Sequence, residues 1–346
     1  MSSDYCFFCV GTGGHVLPAK NLIMNLLDSG VEKENITVVT DKRGVKYFQE
    51  LDLDIIQKIF FISSSGMFGY LINTGQFIKT AWSVFKQLKA KNIDTVLTTG
   101  AYIAPYAALI SLFLRSKFFI QEQNQYAGLG NKVASYFPST VFSSFPNTQN
   151  IRKANIIFTG PILNMNLKID KTKIASDPFT IGIQGGSQGS KELNEFLYKF
   201  LESHSELDTK FIHITGPNKM SNKFTKPENY YEYEFIEDMS SYYEEIDFQV
   251  SRSGGGSLEA AYLSIPQLLI PYKHGTTSSH QLLNAKYLED IKNAMIVQDY
   301  SEFAQILKNV CMNKRNYLID NFKSPNIKVG NNDIFKIITS GKYEKI

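Results

Sequence analysis

Short apolar runs alternate along the chain with longer segments in which apolar residues recur every three or four positions. Residues 5–10 read as a buried strand, 19–27 as a helix stopped near Gly30, and 35–40 as a second strand. The pattern continues with a short helix at 45–51, a strand at 55–62, a long helix at 74–90 and a strand at 95–99. A helix or buried apolar segment at 104–114, a strand at 118–121, a short helix at 131–136 and strands at 141–144 and 156–159 complete the first half. After Gly160-Pro161 comes a polar stretch, 168–178, with Lys168, Lys171 and Lys173, which reads as a linker. The second half predicts strands at 179–184, 210–215, 233–235, 247–251 and 267–271. Its helices fall at 192–204, 239–245, 257–263, 281–289, 301–312 and 332–339. Repeated strand-then-helix units imply parallel sheets with right-handed crossovers. The expected fold class is α/β, with two Rossmann-like, doubly wound domains facing each other across a cleft. The expected boundaries are 1–162 and 163–346, with the last helix able to pack back on the first domain.

The chemistry concentrates where strands turn into helices. Gly11-Thr12-Gly13-Gly14-His15 follows the first strand, and Gly185-Gly186-Ser187-Gln188-Gly189-Ser190 follows the first strand of the second half. Glycine permits tight turns there and leaves backbone N–H groups and a helix N-terminus open to an anion. The second turn is neither a Walker A motif nor a G-x-G-x-x-G fingerprint, because the spacing differs and no Gly-Lys-Ser/Thr follows. Ser251-Arg252-Ser253-Gly254-Gly255-Gly256-Ser257-Leu258-Glu259 is a third such turn. Glu259 there either stabilises the helix start or accepts hydrogen bonds from ribose hydroxyls. His15 reads either as a general base at the open end of the sheet or as a capping and phosphate-contacting residue. Gln121-Glu122-Gln123-Asn124, continuing to Gly128, places four hydrogen-bonding side chains in a row after a strand. Gln281 and Asn284 share a helix face behind His280.

Composition narrows the field. The 346 residues and 43% hydrophobic content suit two cores, and a net charge of +3 is too small to argue for nucleic acid. Cys6 and Cys9 lie three apart on a strand, pointing to opposite faces, so they read as buried apolar residues rather than a metal or redox pair. With Cys311 the only other cysteine, no disulfide framework is implied. The first residues lack the basic-then-apolar pattern of a secretory signal. The longest apolar stretch, 101–114, contains Pro105 and Ser111 and is shorter than the roughly 20 residues of a membrane span. Membrane contact is therefore expected to be peripheral. Residues 67–91 mix Phe68, Tyr70, Leu71, Phe77, Trp82 and Phe85 with Lys79, Lys86, Lys89 and Lys91. That mixture fits an amphipathic core helix with a solvated lysine face, or an interfacial patch for anionic lipid.

Taken in order, these motifs resemble the bacterial MurG family of lipid-linked N-acetylglucosaminyltransferases. The resemblance spans nearly the whole chain and rests on several segments. Gly11–His15 with Pro18 is similar to the family's first glycine loop, and Thr98-Thr99-Gly100-Ala101-Tyr102 to its second. Gln121–Asn124 with Gly128-Leu129 and Asn131-Lys132 is similar to its H-E-Q-N…G-L-x-N segment. Gly185–Gly189 matches G-G-S-Q-G; Arg252 to Glu259 with Pro266 and Pro271 follows the donor-site helix; His280–Ala285 fits H-Q-x-x-N-A. Val10, Gln121, Gly160 and Leu163 replace glycine, histidine, asparagine and arginine of the pattern, and the Arg252–Glu259 stretch is one residue shorter.

The resemblance implies a GT-B fold and an inverting, metal-independent transfer of N-acetylglucosamine from UDP-N-acetylglucosamine. The implied acceptor is a polyprenyl-diphosphate-linked N-acetylmuramyl-pentapeptide, at the cytoplasmic face of the membrane, to which the protein binds peripherally. No cofactor is implied. His15 is the implied base, with Glu122 beside it among the catalytic residues. The donor is assigned to Ser187, Gln188, Gly189, Arg252, Glu259, His280, Gln281 and Asn284, with Thr12, Gly13 and Gly14 reaching it from the first loop. Gly13 and Gly14 also serve the acceptor diphosphate, with Gly100, Tyr102 and Asn124 as acceptor contacts. A GT-B enzyme with another lipid or glycan acceptor, a catalytically idle sugar-nucleotide-binding subunit, and a nucleotide-sugar epimerase are the competing readings.

Overall fold

Strand β1 (Tyr5–Phe8) has no polar face, which fits a strand covered by helices on both sides. Cys6 and Phe8 pack into one core with Val84, Leu88, Ala104 and Tyr106; Tyr5, Phe7 and Cys9 pack into the other with Val16, Leu22, Ile334 and Ile338. Cys6 and Cys9 thus lie in opposite cores, and both are buried free thiols. The computed structural model describes the chain except residues 1–2, 12, 58–78, 165–166, 168–177, 205, 222–223, 274–276 and 341–346. Thr12, the apolar residues Phe68, Tyr70, Leu71 and Phe77, the end of the strand expected at 55–62, and the linker lysines lie outside the described residues.

The chain divides into two compact units, Met1–Leu163 with Val329–Ile346, and Asn164–Lys328. In the first, β1 is joined by β2 (Ile36–Thr40), β3 (Asp54–Gln57), β4 (Thr95–Thr98), β5 (Lys117–Glu122), β6 (Thr140–Ser143) and β7 (Asn155–Phe158). They form one parallel sheet in the order β3-β2-β1-β4-β5-β6-β7. Helix α1 (Gly13–Asp28) covers one face. A second helix, α2, over 79–90, and α3 (Ala104–Leu114) cover the other. Helix α4 (Leu129–Ala134) packs beside α3.

In the second unit, β8 (Thr180–Gln184), β9 (Lys210–Ile214), β10 (Tyr230–Tyr233), β11 (Phe248–Ser251), β12 (Gln267–Leu269) and β13 (Ala294–Ile296) form a parallel sheet ordered β10-β9-β8-β11-β12-β13. Helices α5 (Lys191–Ser203) and α9 (Tyr300–Asn321) close one face. Helices α6 (Met239–Glu245) and α7 (Gly255–Tyr262) close the other, and α8 (Thr277–Asp290) packs on β13. The last helix, α10 (Asn331–Ser340), belongs to the first unit. Its Ile334, Ile337 and Ile338 join the core under α1, and Asn331 brackets the Leu163 backbone at 3.0 and 2.8 Å.

Helix α1 and strand β10 differ from expectation in their bounds. Helix α1 begins inside the glycine turn at Gly13, because Gly13-Gly14-His15 already adopts helical backbone. The strand expected at 233–235 is Tyr230–Tyr233, since its partner β9 aligns Tyr230 with Phe211 and ends the ladder at Tyr233.

Candidate active site

In each sheet the strand order reverses at one place, between β1 and β4 and between β8 and β11. Loops at such switch points diverge to opposite faces and leave a crevice at the C-terminal ends of the strands. The glycine turns that the sequence singles out follow β1, β4, β8 and β11. They therefore line the two crevices.

In the first unit, His15 and Thr99 lock the two loops together. His15 Nδ1 lies 2.8 Å from Thr99 O, and Thr99 Oγ1 donates to His15 O at 2.6 Å. A carbonyl only accepts, so Nδ1 carries the proton and Nε2 is left as the acceptor nitrogen. Thr98 Oγ1 donates to Phe8 O and accepts from Gly100 N, which turns the chain sharply after β4. Gly100 has φ +101°, and a Cβ there would come 3.0 Å from Asn131 Nδ2. The Glu122 carboxylate, on the last residue of β5, accepts from Asn124 N (2.8 Å), Asn124 Nδ2 (3.0 Å), Gly128 N (3.1 Å) and Asn131 Nδ2 (2.8 Å). Two carboxylate oxygens holding four donors make Glu122 the organiser of the 122–131 segment.

Asp41, at the end of β2, is a group that the motifs do not mark. It accepts from Gly11 N (3.2 Å), Gly44 N (3.0 Å), Arg43 Nη2 (2.9 Å) and the Tyr102 hydroxyl (3.3 Å). Burial pushes its carboxyl up, but the hydrogen bonds from Arg43, Gly11 and Gly44 outweigh this and hold it below the usual range. Asp41 thereby ties Tyr102 and the first glycine turn to one anchor.

In the second unit, the Gly185–Gly189 turn stands against Thr215-Gly216. A Cβ on Gly189, whose φ is +67°, would fall 1.9 Å from Thr215 O. The Lys219 ammonium donates to Gln188 O and to Gly189 O, the latter at 3.2 Å. Ser190 caps α5 by accepting from Leu193 N. Arg252 is buried: its guanidinium donates to Ser190 Oγ (2.7 Å), Ile270 O (2.7 Å) and Glu192 Oε2 (2.8 Å), stitching the loop after β8 to the end of β12. Ser187 is half-buried and Gln188 exposed at the crest of the turn. Gln281 Oε1 accepts from Tyr272 N at 2.9 Å, and Gln281 O accepts from Ser253 Oγ at 2.7 Å. Asn284 Nδ2 donates to Ser253 O at 3.2 Å, so α8 is bound to the third glycine turn. His280, half-buried, precedes them on α8. Glu259 lies on α7, where burial pushes its carboxyl up, opposed by a 2.9 Å hydrogen bond from the Tyr243 hydroxyl.

The structure therefore gathers His15, Gly13, Gly14, Gly100, Tyr102, Glu122 and Asn124 in the first unit. It gathers Ser187, Gln188, Gly189, Arg252, Glu259, His280, Gln281 and Asn284 in the second. Among the described residues no group of three or more His, Cys, Asp or Glu side chains is arranged to hold a metal ion.

The model of the glycosyltransferase family 28 N-terminal domain matches residues 5–143, and that of the family 28 C-terminal domain matches residues 180–322. The chain belongs to glycosyltransferase family 28. Its relatives include proteins of Sulfurihydrogenibium sp. (28% identical over 306 residues, 86% of each chain) and Rickettsia felis (29% over 321 residues, 86% of each chain). Both are named UDP-N-acetylglucosamine–N-acetylmuramyl-(pentapeptide) pyrophosphoryl-undecaprenol N-acetylglucosamine transferase. Among solved structures, Acinetobacter baumannii MurG superposes with a TM-score of 0.76 at 24% identity, covering 97% of this chain and 99% of that one. A UDP-GlcNAc 2-epimerase from Neisseria meningitidis gives 0.66 at 14% identity, covering 97% and 98%. These superpositions bear on the fold, which is GT-B: two parallel-sheet α/β units of seven and six strands.

Proposed function

We propose that this family-28 enzyme transfers N-acetylglucosamine from UDP-N-acetylglucosamine to a lipid-linked N-acetylmuramyl-pentapeptide, the step that completes the disaccharide unit of the peptidoglycan precursor. The observation that carries the reading is a set of motif-bearing glycine loops at the switch points of both sheets, in a chain whose curated relatives bear that activity in their names.

The second unit takes the donor. Backbone N–H groups of the Gly185–Ser190 turn and the start of α5 face the diphosphate, while Gly189 N is held within the turn by Gly186 O at 2.8 Å. Glu259 accepts from the ribose hydroxyls. His280 reaches the sugar-phosphate, while Arg252, Gln281 and Asn284 brace the loops from behind. The first unit takes the acceptor, with Gly13, Gly14, Gly100, Tyr102 and Asn124 around its diphosphate-linked sugar. His15 Nε2 removes the proton from the acceptor hydroxyl as its oxygen attacks the anomeric carbon. The bond from that carbon to the UDP oxygen breaks on the opposite side, so configuration inverts. Charge develops on the departing diphosphate, where the fixed N–H groups and helix dipole stabilise it. Glu122 serves as an orienting group, since its lone pairs are occupied by Asn124, Gly128 and Asn131.

Peripheral membrane binding belongs to the same reading. Trp82 on α2 is 58% exposed and Phe113 on α3 is 64% exposed. Phe85 bridges them, 5.5 Å from Trp82 and 6.1 Å from Phe113 between ring centroids. Lys86 and Lys89 lie over the Trp82 and Phe85 rings. Exposed aromatic and aliphatic side chains edged by lysine suit an anionic lipid surface. Among the described residues no helix is long and apolar enough to cross a membrane.

The test is transfer of labelled sugar from UDP-N-acetylglucosamine to a short-chain lipid-linked muramyl-pentapeptide. Labelled disaccharide product is expected. Binding of the donor without transfer to this acceptor would move the acceptor to another lipid or glycan.

A further inference from the structure

A buried chain of side-chain amides crosses the second sheet behind Glu259. It starts at Asn293, whose Nδ2 donates to Ile265 O at 3.1 Å, turning Oδ1 the other way. Gln267 Nε2 donates to that Oδ1 at 2.6 Å, and Gln267 Oε1 accepts from Gln249 Nε2 at 3.0 Å. Gln249 Oε1 accepts from Gln184 Nε2 at 2.9 Å, and Gln184 Nε2 also donates to the Tyr243 hydroxyl oxygen at 3.2 Å. Each amide donates on one side and accepts on the other, so the anchor at Asn293 sets the direction of every link. Tyr243 ends the series. Its oxygen is already accepting, which leaves its single proton to donate; Glu259 Oε2 is the nearer acceptor at 2.9 Å, and Gly256 O lies at 3.2 Å.

The same amides hold the start of the helix that carries Glu259. Gln267 Nε2 donates to Ser257 O at 2.9 Å, and Gln249 Nε2 lies 3.4 Å from Gly256 O. Gly256 is a glycine because a Cβ there would stand 2.9 Å from Gln184 Nε2. Gln249, Gln267 and Asn293 are fully buried, and Gln184 and Tyr243 nearly so. Polar groups are costly in a sheet core unless every one is paired, and aliphatic residues would fill the same space without that requirement. The pairing here converges on a single carboxylate. We propose that Tyr243, oriented by this amide chain, is a positioning residue that aims Glu259 at the ribose hydroxyls of the nucleotide donor. The inference rests on the donor-site reading above and adds to it the groups that make Glu259 competent.

The test is calorimetric binding of UDP and of 2′,3′-dideoxy-UDP to the full chain, its Tyr243→Phe variant and its Gln249→Met variant, with donor KM and kcat measured alongside. The wild type is expected to prefer UDP over the dideoxy nucleotide. Tyr243→Phe is expected to weaken UDP about tenfold, the scale of one hydrogen bond to a charged group, while the dideoxy nucleotide shifts by roughly twofold or less. Donor KM rises in parallel and kcat stays within about twofold. Gln249→Met, which breaks the chain two links from Glu259, shows the same selective loss at smaller size and reads the ratio if Tyr243→Phe does not fold. A wild type that binds both nucleotides equally would overturn the donor-site reading and this inference with it. A wild type that prefers UDP, with the preference intact in both variants or with equal losses for both nucleotides, would overturn this inference alone.

Discussion

At the residue scale, His15 and His213 show how neighbours decide what an imidazole does. His15 spends Nδ1 on Thr99 O, and in the proposed reaction Nε2 takes the acceptor's proton. His15→Ala is therefore expected to lower kcat by about 10²- to 10⁴-fold, the usual span for a general base, with donor affinity nearly unchanged. A variant that loses donor binding but turns over bound donor at the normal rate would remove His15 from that role. His213 is the opposite case. It is fully buried, 2.7 Å from the Tyr230 hydroxyl and 3.0 Å from Asn194 Oδ1, and burial holds its pKa down to about 3, the Glu232 charge opposing only in part. The folded state refuses a proton that the unfolded chain accepts below about pH 6.5. Stability from this site is thus complete above that pH and falls by up to about 1.4 kcal/mol per unit as pH drops toward the folded value. Thermal unfolding across pH 7 to 4 should be steeper for the wild type than for His213→Gln; parallel curves would show that His213 does not titrate this way.

At the element scale, the strand–turn–helix plan was legible because it is written in contrasts: apolar runs, glycines and periodic helices. Residues 239–245 read as the helix that forms there, and 104–114, which reads as a helix or a buried apolar segment, is a helix. The chain was less legible where contrast fails. β13 has three residues, Ala294–Ile296, too few for a period, and it was missed. Helix α9 runs on to Asn321 through Asn313, Lys314, Arg315 and Asn316, a polar stretch with no apolar stripe and a left-handed residue at Lys314. The glycine loops stood out as sites, but Asp41, Lys219 and Tyr243 did not, since their roles depend on partners distant in sequence. Gln184, Gln249 and Gln267 lie in expected strands but carry no role in the sequence reading; their mutual pairing across β8, β11 and β12 permits their burial. Two predictions belong here. Glu122→Ala strips four donors of their acceptor and should lower the melting temperature by several degrees, as the loss of a buried, charge-assisted network of about 2–4 kcal/mol would. An unchanged melting temperature would deny Glu122 its organising role. Trp82→Glu with Phe113→Glu should abolish co-sedimentation with anionic vesicles while leaving UDP binding intact; retained sedimentation would place the lipid contact elsewhere.

At the scale of the molecule, the chain is two versions of one design. Each unit has a parallel sheet with helices on both faces and glycine-rich loops at the strand-order reversal. The design concentrates backbone N–H groups and helix N-termini at one end of each sheet, where diphosphates bind. Both substrates assigned to this enzyme carry a diphosphate, one linked to a nucleoside and the other to a lipid, so a duplicated anion-binding plan fits the reaction. Catalysis then requires little beyond one base and fixed dipoles.

The most direct measurement is the anomeric configuration of the product formed by wild-type enzyme from isotopically labelled UDP-N-acetylglucosamine and the lipid-linked muramyl-pentapeptide, read by NMR. The donor carries an α linkage, so attack by the deprotonated acceptor hydroxyl predicts a β-linked disaccharide, formed far more slowly by His15→Ala. An α-linked product, or consumption of the donor without any acceptor, would contradict direct displacement assisted by His15.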